Sequence, residues 1–250
     1  MWVISIIRNN MREPVRIKLI ANGSHPCERW IGRWGLSFVI DEEILFDAFG
    51  DARALMGNLN RFKVDIDKIR QVAISHEHWD HVEGLCSFLE RRPHLKVYFP
   101  QHSDKNIKDK ISVWGGDVVE VKGPVKLKDG VYLSGEIATR YADKAMFEQA
   151  LVLETEKGLV IVAGCAHPGI MKIVNRVKKD FLKPVYGVIG GFHLKGYTME
   201  DIALKAARLK AAGINMVVPL HCTGAKAKKV FQQVFGSGCL VLREGQEIKL

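Results

Sequence analysis

The stretch Ser75–His81 reads Ser-His-Glu-His-Trp-Asp-His and holds three imidazoles and the carboxylate of Asp80, besides that of Glu77, in the six residues from His76 onward. It follows a short apolar run that is typical of a strand. Because His76 and His78 are two positions apart, both side chains can point to the same side of an extended loop and reach one ion. Asp80 and His81 begin a segment with helical spacing, and a helix N-terminus there would favour a bound anion. The stretch therefore predicts a metal site.

Strands and helices follow one another along the chain in an order that predicts an α/β fold. Apolar or alternating runs predict strands at 15–20, 36–40, 44–46, 72–74, 96–99, 118–121, 131–133, 150–153, 159–163, 185–189 and 216–219. Helical spacing predicts helices at 82–89, 169–179, 199–212 and 225–235. In the last third, three strands each end at a turn that contains a histidine, namely His167, His193 or His221. Since the carboxyl ends of such strands meet at one edge of a sheet, these histidines should converge there.

The composition limits the kind of protein. A chain of 250 residues suits one sizeable domain, so we predict a single domain over residues 1–250. The apolar runs are too short to span a bilayer, and the first eight residues lack the features of a secretory signal. We therefore expect a cytoplasmic protein with no membrane partner. Five cysteines without a paired spacing argue against a disulfide framework.

The net charge of +9 suits an anionic partner. The clustered lysines lack the interleaved aromatic residues that a platform for stacking bases needs. We therefore expect an anionic small-molecule substrate rather than nucleic acid. A nuclease remains an alternative, which a strong inverse salt dependence of nucleic-acid binding would support. The sequence makes no prediction of the oligomeric state.

The pattern His-x-His-x-Asp-His resembles the metal motif of the metallo-β-lactamase superfamily. Other segments agree with that superfamily in order and spacing, namely 44–47, 164–169, 190–194 and 220–224. The last three resemble one branch, the predicted metal-dependent hydrolases similar to dihydropterin–ribofuranosylaminobenzene phosphate synthases. The resemblance implies a four-layer αββα sandwich with metals at one edge between two sheets.

The resemblance also implies two groups of metal ligands, one of His76, His78 and His167 and the other of Asp80, His81 and His221. We expect one or two divalent ions. Zn²⁺ is the expected metal, and Mn²⁺ or Fe²⁺ are alternatives, because imidazole and carboxylate donors suit all three. Two ions about 3.5–4 Å apart could share a hydroxide, lower its pKa and clamp an anionic transition state.

Three further residues have predicted roles near the metals. Asp47 ends an early strand and is predicted to orient a ligand histidine. Asp80 and His193 are the candidate catalytic residues. His193 follows Gly190-Gly191, and glycines there would allow the backbone to approach a ligand such as phosphate.

Cys165 departs from the pattern of the superfamily. Most related hydrolases have at this place an Asp that bridges the two metals. The Cys165 thiolate could be a ligand, or the thiol could only pack while His167, two residues later, supplies the ligand. We favour packing, because His167 already lies on the same turn. Without the bridging carboxylate, a single metal or a weakly held second metal becomes an alternative.

The resemblance implies a metal-dependent hydrolase that acts on a phosphorylated or pterin-like small substrate through metal-activated water. The alternatives are a pterin-condensing transferase that releases pyrophosphate, a nuclease, or a non-hydrolytic redox or metal-binding role. A β-lactamase is not expected, because that role needs a secreted protein. The fold alone does not choose among these, since one fold can carry many chemistries.

Overall fold

The computed structural model describes residues 13–25, 27 and 32–250. The first eight residues, considered above for a secretory signal, lie outside the described part. The strands are β1 (Arg16–Gly23), β2 (Gly35–Ile40), β3 (Ile44–Phe46), β4 (Gln71–Ala73), β5 (Lys96–Pro100), β6 (Asp117–Val121), β7 (Val125–Lys128), β8 (Val131–Leu133), β9 (Ile137–Tyr141), β10 (Lys144–Glu148), β11 (Leu151–Thr155), β12 (Gly158–Ala163), β13 (Val185–Gly191), β14 (Met216–Leu220) and β15 (Glu247–Lys249). The α-helices of the described residues are α1 (Ala52–Arg61), α2 (Trp79–Val82), α3 (Leu85–Arg91), α4 (Lys105–Val113), α5 (Ile170–Phe181), α6 (Met199–Ala211) and α7 (Ala225–Phe235).

The strands form two large sheets and one small one. The first sheet has the order β15-β1-β2-β3-β4-β5-β6, and the second has the order β14-β13-β12-β11-β8-β7. Strands β3 to β6 are parallel in the first sheet, and β12 to β14 are parallel in the second. Strands β9 and β10 form a separate two-stranded antiparallel hairpin.

Three apolar cores hold the layers together. Phe38 of the first sheet and Ile189 of the second lie in the core between the sheets. Helices α5, α6 and α7 cover the outer face of the second sheet, for example through Ile173. Helices α1, α3 and α4 cover the outer face of the first sheet, for example through Leu55 and Phe88. The predicted four-layer αββα sandwich is confirmed.

The core also explains why the strands of the second sheet are so apolar. Along β12, Val160 and Val162 face the core between the sheets, whereas Leu159 and Ile161 face the helices. A strand that is buried on both faces has no polar face to alternate with, and its sequence is a continuous apolar run. This pattern made the strand predictable.

Most predicted elements are present with small shifts of their ends. The predicted helix at 82–89 is instead two short helices, α2 and α3, with Gly84 between them. Gly84 lies against the backbone of Ala48, where a Cβ atom would come within 1.8 Å of the carbonyl oxygen. Helix α6 begins with a side-chain cap, since the Asp201 N–H donates to Thr198 Oγ1 over 3.1 Å. Helices α1 and α4 and strands β7, β9, β10 and β15 were not predicted.

The topology brings four strand ends to one edge of the sandwich. The loop after β4 lies at this edge in the first sheet, and the turns after β12, β13 and β14 lie there in the second. The hairpin of β9 and β10 lies beside the same edge, because Thr139 Oγ1 donates to the His167 carbonyl oxygen over 3.4 Å. Among the described residues, every helix is too short or too polar to cross a membrane.

Candidate metal centre

The first sheet supplies the motif loop. His76 and His78 lie in the loop after β4, and Asp80 and His81 lie in the first turn of α2. His76, Asp80 and His81 are buried, whereas His78 is half-buried. The loop is thus anchored in the core and opens to solvent through His78.

The second sheet supplies three histidines from successive turns. His167 follows β12, His193 follows β13 and His221 follows β14. His193 and His221 have φ angles of 48° and 45°, and Ala166, beside His167, has a φ of 56°. Residues other than glycine adopt this left-handed region at an energetic cost, and such residues cluster at functional sites. The turns are therefore shaped to place side chains rather than to minimise backbone strain.

The structure brings all six predicted ligands together in two groups. We call His76, His78 and His167 the first group, and Asp80, His81 and His221, with Cys165, the second group. Within each group, the atoms that could bind a metal lie within 4.8 Å of one another. The groups are adjacent, since the ring centroids of His76 and His81 are 4.2 Å apart. This arrangement matches the predicted division, and the assignment of these residues as ligands stays a prediction.

Asp47 holds the motif loop from the end of β3. Its carboxylate accepts hydrogen bonds from the Ser75 N–H over 2.7 Å and from Ser75 Oγ over 2.8 Å. It also lies 2.6 Å from Nδ1 of His81. Asp47 therefore stands where the sequence predicted it, against the outer nitrogen of a candidate ligand.

Glu148 plays the same part on the other side of the centre, and the sequence analysis missed it. Its carboxylate lies 2.9 Å from Nδ1 of His167 and accepts the backbone N–H groups of Cys165, Ala166 and His167. Burial raises the pKa of Glu148, but the hydrogen bonds from His167 and the backbone more than offset this and lower it. The sequence signal is weak, an acidic residue two positions before the short apolar run at 150–153.

The hydrogen bonds of the other histidines fix which ring nitrogen faces the centre. His221 Nδ1 lies 2.6 Å from the Gly23 carbonyl oxygen, which can only accept, so Nδ1 carries the proton. His76 Nδ1 lies 2.8 Å from Ser75 Oγ, whose own proton is directed to Asp47. In both histidines the Nε2 lone pair is therefore left for the interior of the site.

This arrangement fits a bound cation. The Nε2 atoms of His76 and His221 are buried and have no hydrogen-bond partner, although His221 Nε2 lies 3.2 Å from Asp80 Oδ2. Buried polar atoms without a partner are costly and rare. Several inward lone pairs beside a carboxylate are the donor set that Zn²⁺ and similar ions use.

The pKa values of His76 and His78 agree with such a site. Burial and the neighbouring histidines hold the pKa of His76 well below its usual range, and they lower that of His78 to about 4. Both imidazoles are therefore neutral at pH 7 and able to bind a metal. For His81, burial opposes the charge, but Asp47 and Asp80 more than offset it and raise the pKa to about 9. Burial opposes the charge of Asp80 too, yet His81 and His221 hold its pKa well below the usual range.

Cys165 has two kinds of neighbour. Its sulfur lies 3.3 Å from Nε2 of His81, among the donors of the second group. It also packs in a small buried cluster with Trp34 and Cys222. Burial raises the pKa of its thiol well above the ordinary value in the absence of a nearby cation. The geometry thus allows the packing role that we favoured and the ligand role alike.

His193 lies beside the first group rather than in it. Its ring centroid is 4.4 Å from that of His167, and its potential donor atoms belong with the sulfurs of Cys165 and Cys222. The pKa of His193 is raised, mainly by the contact with Cys222. Its position near both groups is compatible with a catalytic role, which stays a prediction, as does that of Asp80.

The structure gives Gly190 and Gly191 a role in packing. A Cβ atom on Gly190 would come within 2.0 Å of the Ala163 carbonyl oxygen. One on Gly191 would come within 2.5 Å of the Gly164 carbonyl oxygen and 2.7 Å of Cys222 Sγ. These glycines allow neighbouring turns of the protein to approach each other closely, and a contact with phosphate stays a prediction.

A two-sheet sandwich with histidine-rich donor groups at one edge defines a class of metal-binding α/β enzymes. Residues 42–125 match the family described as a beta-lactamase superfamily domain. A curated relative from Methanocaldococcus jannaschii is 31% identical to this chain over an alignment of length 264, gaps included. The alignment covers 86% of this chain and 89% of the relative. It is named 7,8-dihydropterin-6-methyl-4-(beta-D-ribofuranosyl)-aminobenzene-5'-phosphate synthase. The chain belongs to the metallo-β-lactamase superfamily, in the branch of this synthase, and it is an enzyme.

Solved structures show the same fold. Tm1679, described as a metal-dependent hydrolase of the beta-lactamase superfamily, has a TM-score of 0.75 and 22% identity, covering 94% of this chain and 99% of its own. YhfI from Bacillus subtilis, a metallo-beta-lactamase fold protein, has a TM-score of 0.65 and 15% identity, covering 95% and 100%. These similarities extend over nearly the whole of each chain and concern the fold. Together with the donor groups, the fold indicates binding of divalent metal.

Proposed function

We propose that this enzyme hydrolyses a phosphorylated small molecule, using water activated by one or two divalent ions held in the two donor groups. The observation that carries the proposal is the adjacency of two independent donor groups, with their inward nitrogens freed by outer hydrogen bonds. Zn²⁺ is the proposed metal, and Mn²⁺ and Fe²⁺ suit the same donors. When bound, such ions supply Lewis acidity and lower the pKa of water.

The two donor groups differ in their exposure to solvent, and we assign them different roles on that basis. The second group is buried throughout, whereas the first group reaches solvent through His78. We therefore propose that the substrate approaches the first group and that the second group is the inner site. Asp80 would hold a negative charge beside His221 and His81, and His193, at the open side, would exchange a proton with the substrate.

The class of substrate is supported by the net charge and by the relative. A net charge of +9 favours anionic molecules. The relative from Methanocaldococcus jannaschii is named for a product that contains a pterin and a 5'-phosphate. We therefore propose a phosphorylated or pterin-like substrate for this chain. We also propose that the protein acts in the cytoplasm.

The same relative favours a second candidate, a condensing transferase. A synthase joins two molecules, and identity of 31% over 86% of this chain makes a related reaction a specific alternative. In that case an amine would replace water as the nucleophile, and a pyrophosphate group would leave. The metal groups would then stabilise the leaving group instead of activating water.

The proposal is tested by metal analysis of the purified protein together with a screen of phosphomonoesters, phosphodiesters and pterin phosphates. We expect bound divalent metal and release of phosphate or alcohol, both lost in His76→Ala, because this change removes one of three ligands of the first group. The matched control is His94→Ala, which removes an exposed imidazole outside the motif and both donor groups.

The outcomes separate the two candidates. Product formed only when an amine acceptor is added, with release of pyrophosphate, would support the transferase. A His76→Ala protein that keeps its full metal content and turnover would overturn the assignment of the first group.

A further inference from the structure

The hairpin of β9 and β10 presents one face to the metal centre. In its register Ile137 pairs with Glu148, and Tyr141 pairs with Lys144. Residues that pair directly across antiparallel strands lie on the same face of the sheet. Glu148 is buried against the turn of His167, so the face that carries it is the inner one. Tyr141 and Lys144 therefore lie on that face too, at its outer end.

The ring of Tyr141 lies against the open side of the first group. Its centroid is 4.8 Å from that of His78, 5.0 Å from that of His167 and 5.7 Å from that of His193. All three contacts are edge-to-face. Tyr141 nevertheless remains 41% exposed. An aromatic ring is thus held at the mouth of the site with much of its surface in water.

The backbone of the hairpin fixes this position. The turn residues Ala142 and Asp143 have φ angles of 46° and 62°, the signature of a tight two-residue turn. The Arg140 guanidinium donates to the Asp143 carbonyl oxygen over 2.7 Å. At the other end, Glu148 is joined to the metal centre through His167. Tyr141 is therefore placed by the same element that orients a ligand.

We infer that Tyr141 is a substrate-positioning residue, on which an aromatic or heteroaromatic ring of the substrate stacks while its phosphate faces the first group. The inference rests on the proposed function and adds to it the residue that would hold a planar ring of the substrate. Stacking on a tyrosine needs an exposed ring in a fixed place, and both conditions hold here.

Lys144 pairs with Tyr141 across the hairpin, so its long side chain can bring a positive charge close to the ring. It is exposed, and no ion pair joins it to a carboxylate of the described residues. An ammonium group that can reach the ring favours a substrate that is both planar and anionic. At the outer end of the hairpin, Tyr141 thus favours a planar ring and Lys144 favours a negative charge. A phosphorylated aromatic molecule has both.

The test compares the binding of phenylphosphonate and ethylphosphonate to the Zn²⁺-saturated protein by calorimetry. Both carry a phosphonate that cannot be hydrolysed, and only one carries a ring. We expect the wild type to bind phenylphosphonate about tenfold more tightly, as aromatic stacking of ordinary strength predicts. Tyr141→Phe should keep this preference, and Tyr141→Ala should reduce it to about twofold or less.

The control variant is Tyr197→Ala, which removes another tyrosine of similar exposure whose ring contacts Lys205. It should leave the preference unchanged, and thermal unfolding should show that both alanine variants are folded. Equal binding of the two phosphonates by the wild type, or a preference that survives Tyr141→Ala, would overturn the inference.

The outcomes also distinguish this inference from the proposed function. A ring preference that depends on Tyr141, in a protein that hydrolyses none of the screened esters, supports stacking and rejects hydrolysis. Hydrolysis of aryl and alkyl phosphates at equal kcat/KM in the wild type and in Tyr141→Ala supports hydrolysis and rejects stacking.

Discussion

Asp47 organises the motif loop before any metal binds. Its contact with Nδ1 of His81 leaves Nε2 of His81 facing Asp80, 3.6 Å away, and Cys165. Between the two carboxylates the pKa of His81 rises to about 9, although burial opposes it. Near neutral pH the metal-free protein therefore holds a proton on the nitrogen that a metal would use. A metal ion has to displace that proton, so metal binding is linked to pH.

We predict that the metal affinity rises as the pH increases towards 9, and that Zn²⁺ binding at pH 7.5 releases about one proton from His81. In Asp47→Asn the anion beside His81 is lost, so the pKa of His81 falls and fewer protons are released on metal binding. Calorimetry in buffers of different ionisation enthalpy measures this release, and Asp67→Asn, an exposed change, is the control. Equal proton release by the wild type and Asp47→Asn would contradict the linkage.

The raised pKa of His81 also determines how the stability of the metal-free protein changes with pH. Because the pKa of His81 is raised in the folded, metal-free protein, the contribution of its charge is fully present below pH 6.5. It is lost as the pH rises through about 9. Metal-free protein should therefore lose stability over the interval in which it gains metal affinity.

The sulfur of Cys165 either packs in the core or binds a metal, and a substitution distinguishes these two roles. If the thiol only packs, Cys165→Ser should leave the metal content unchanged and cost a little stability, since a hydroxyl replaces a buried sulfur. If the thiolate binds, the variant should lose metal, and Co²⁺-substituted wild type should show a thiolate-to-metal charge-transfer band that the variant lacks. We predict unchanged metal content, because we expect His167 to supply the ligand from this turn.

Cys222→Ser is the matched control for this measurement. Cys222 is also buried, and its sulfur lies 3.7 Å from the Cys165 carbonyl oxygen. A charge-transfer band that persists in Cys222→Ser and disappears in Cys165→Ser would show that Cys165 is a ligand and that our prediction is wrong.

At the scale of secondary structure, the sequence predicted the strands that are buried on both faces, and the elements that it missed are more exposed. Strands β12, β13 and β14 are continuous apolar runs, so their ends, and the histidines that follow them, could be located. Helix α4 buries only Ile111, and its other residues are mostly charged or polar, so no apolar stripe marked it. The hairpin was missed for a similar reason, since Ala138 and Arg140 of β9 face solvent.

The missed hairpin explains the missed carboxylate. Glu148 could not be recognised as a partner of His167, because the two are joined by tertiary structure and not by a local motif. The orientation of the ring nitrogens could not be predicted from the sequence either. It depends on acceptors such as the Gly23 carbonyl oxygen, which is distant in sequence from His221. The motif predicted which residues meet, and the acceptors that orient them required the fold.

We predict that Glu148→Gln weakens metal binding at the first group by about 10- to 100-fold, the usual effect of removing a partner of a ligand histidine. The amide keeps the shape of the side chain but removes the charge that orients His167 and caps its turn. Equilibrium dialysis with a competing chelator measures the affinity, and Glu156→Gln, on an exposed turn, is the control. An affinity equal to that of the wild type would show that Glu148 only supports the turn.

At the scale of the whole molecule, the metal centre joins the two sheets. His76 and Asp80 come from the first sheet, whereas His167 and His221 come from the second, and each donor group contains residues of both. Away from this edge, apolar side chains hold the sheets together. A bound ion therefore acts as a link between layers that the unfolded chain cannot form, and it stabilises the folded state by mass action.

We predict that removing metal with a chelator lowers the melting temperature and that adding Zn²⁺ restores it. At a free metal concentration of about 100 times Kd, one site contributes about 2.7 kcal/mol, which corresponds to a shift of roughly 5–10 °C for a chain of this size. Scanning calorimetry of wild type, His76→Ala and His94→Ala measures the effect. The exposed His94 variant should behave like the wild type, and His76→Ala should respond less to both treatments. If the chelator leaves all three melting temperatures unchanged, the sheets are held by the apolar core alone and the donor groups carry no metal that matters for stability.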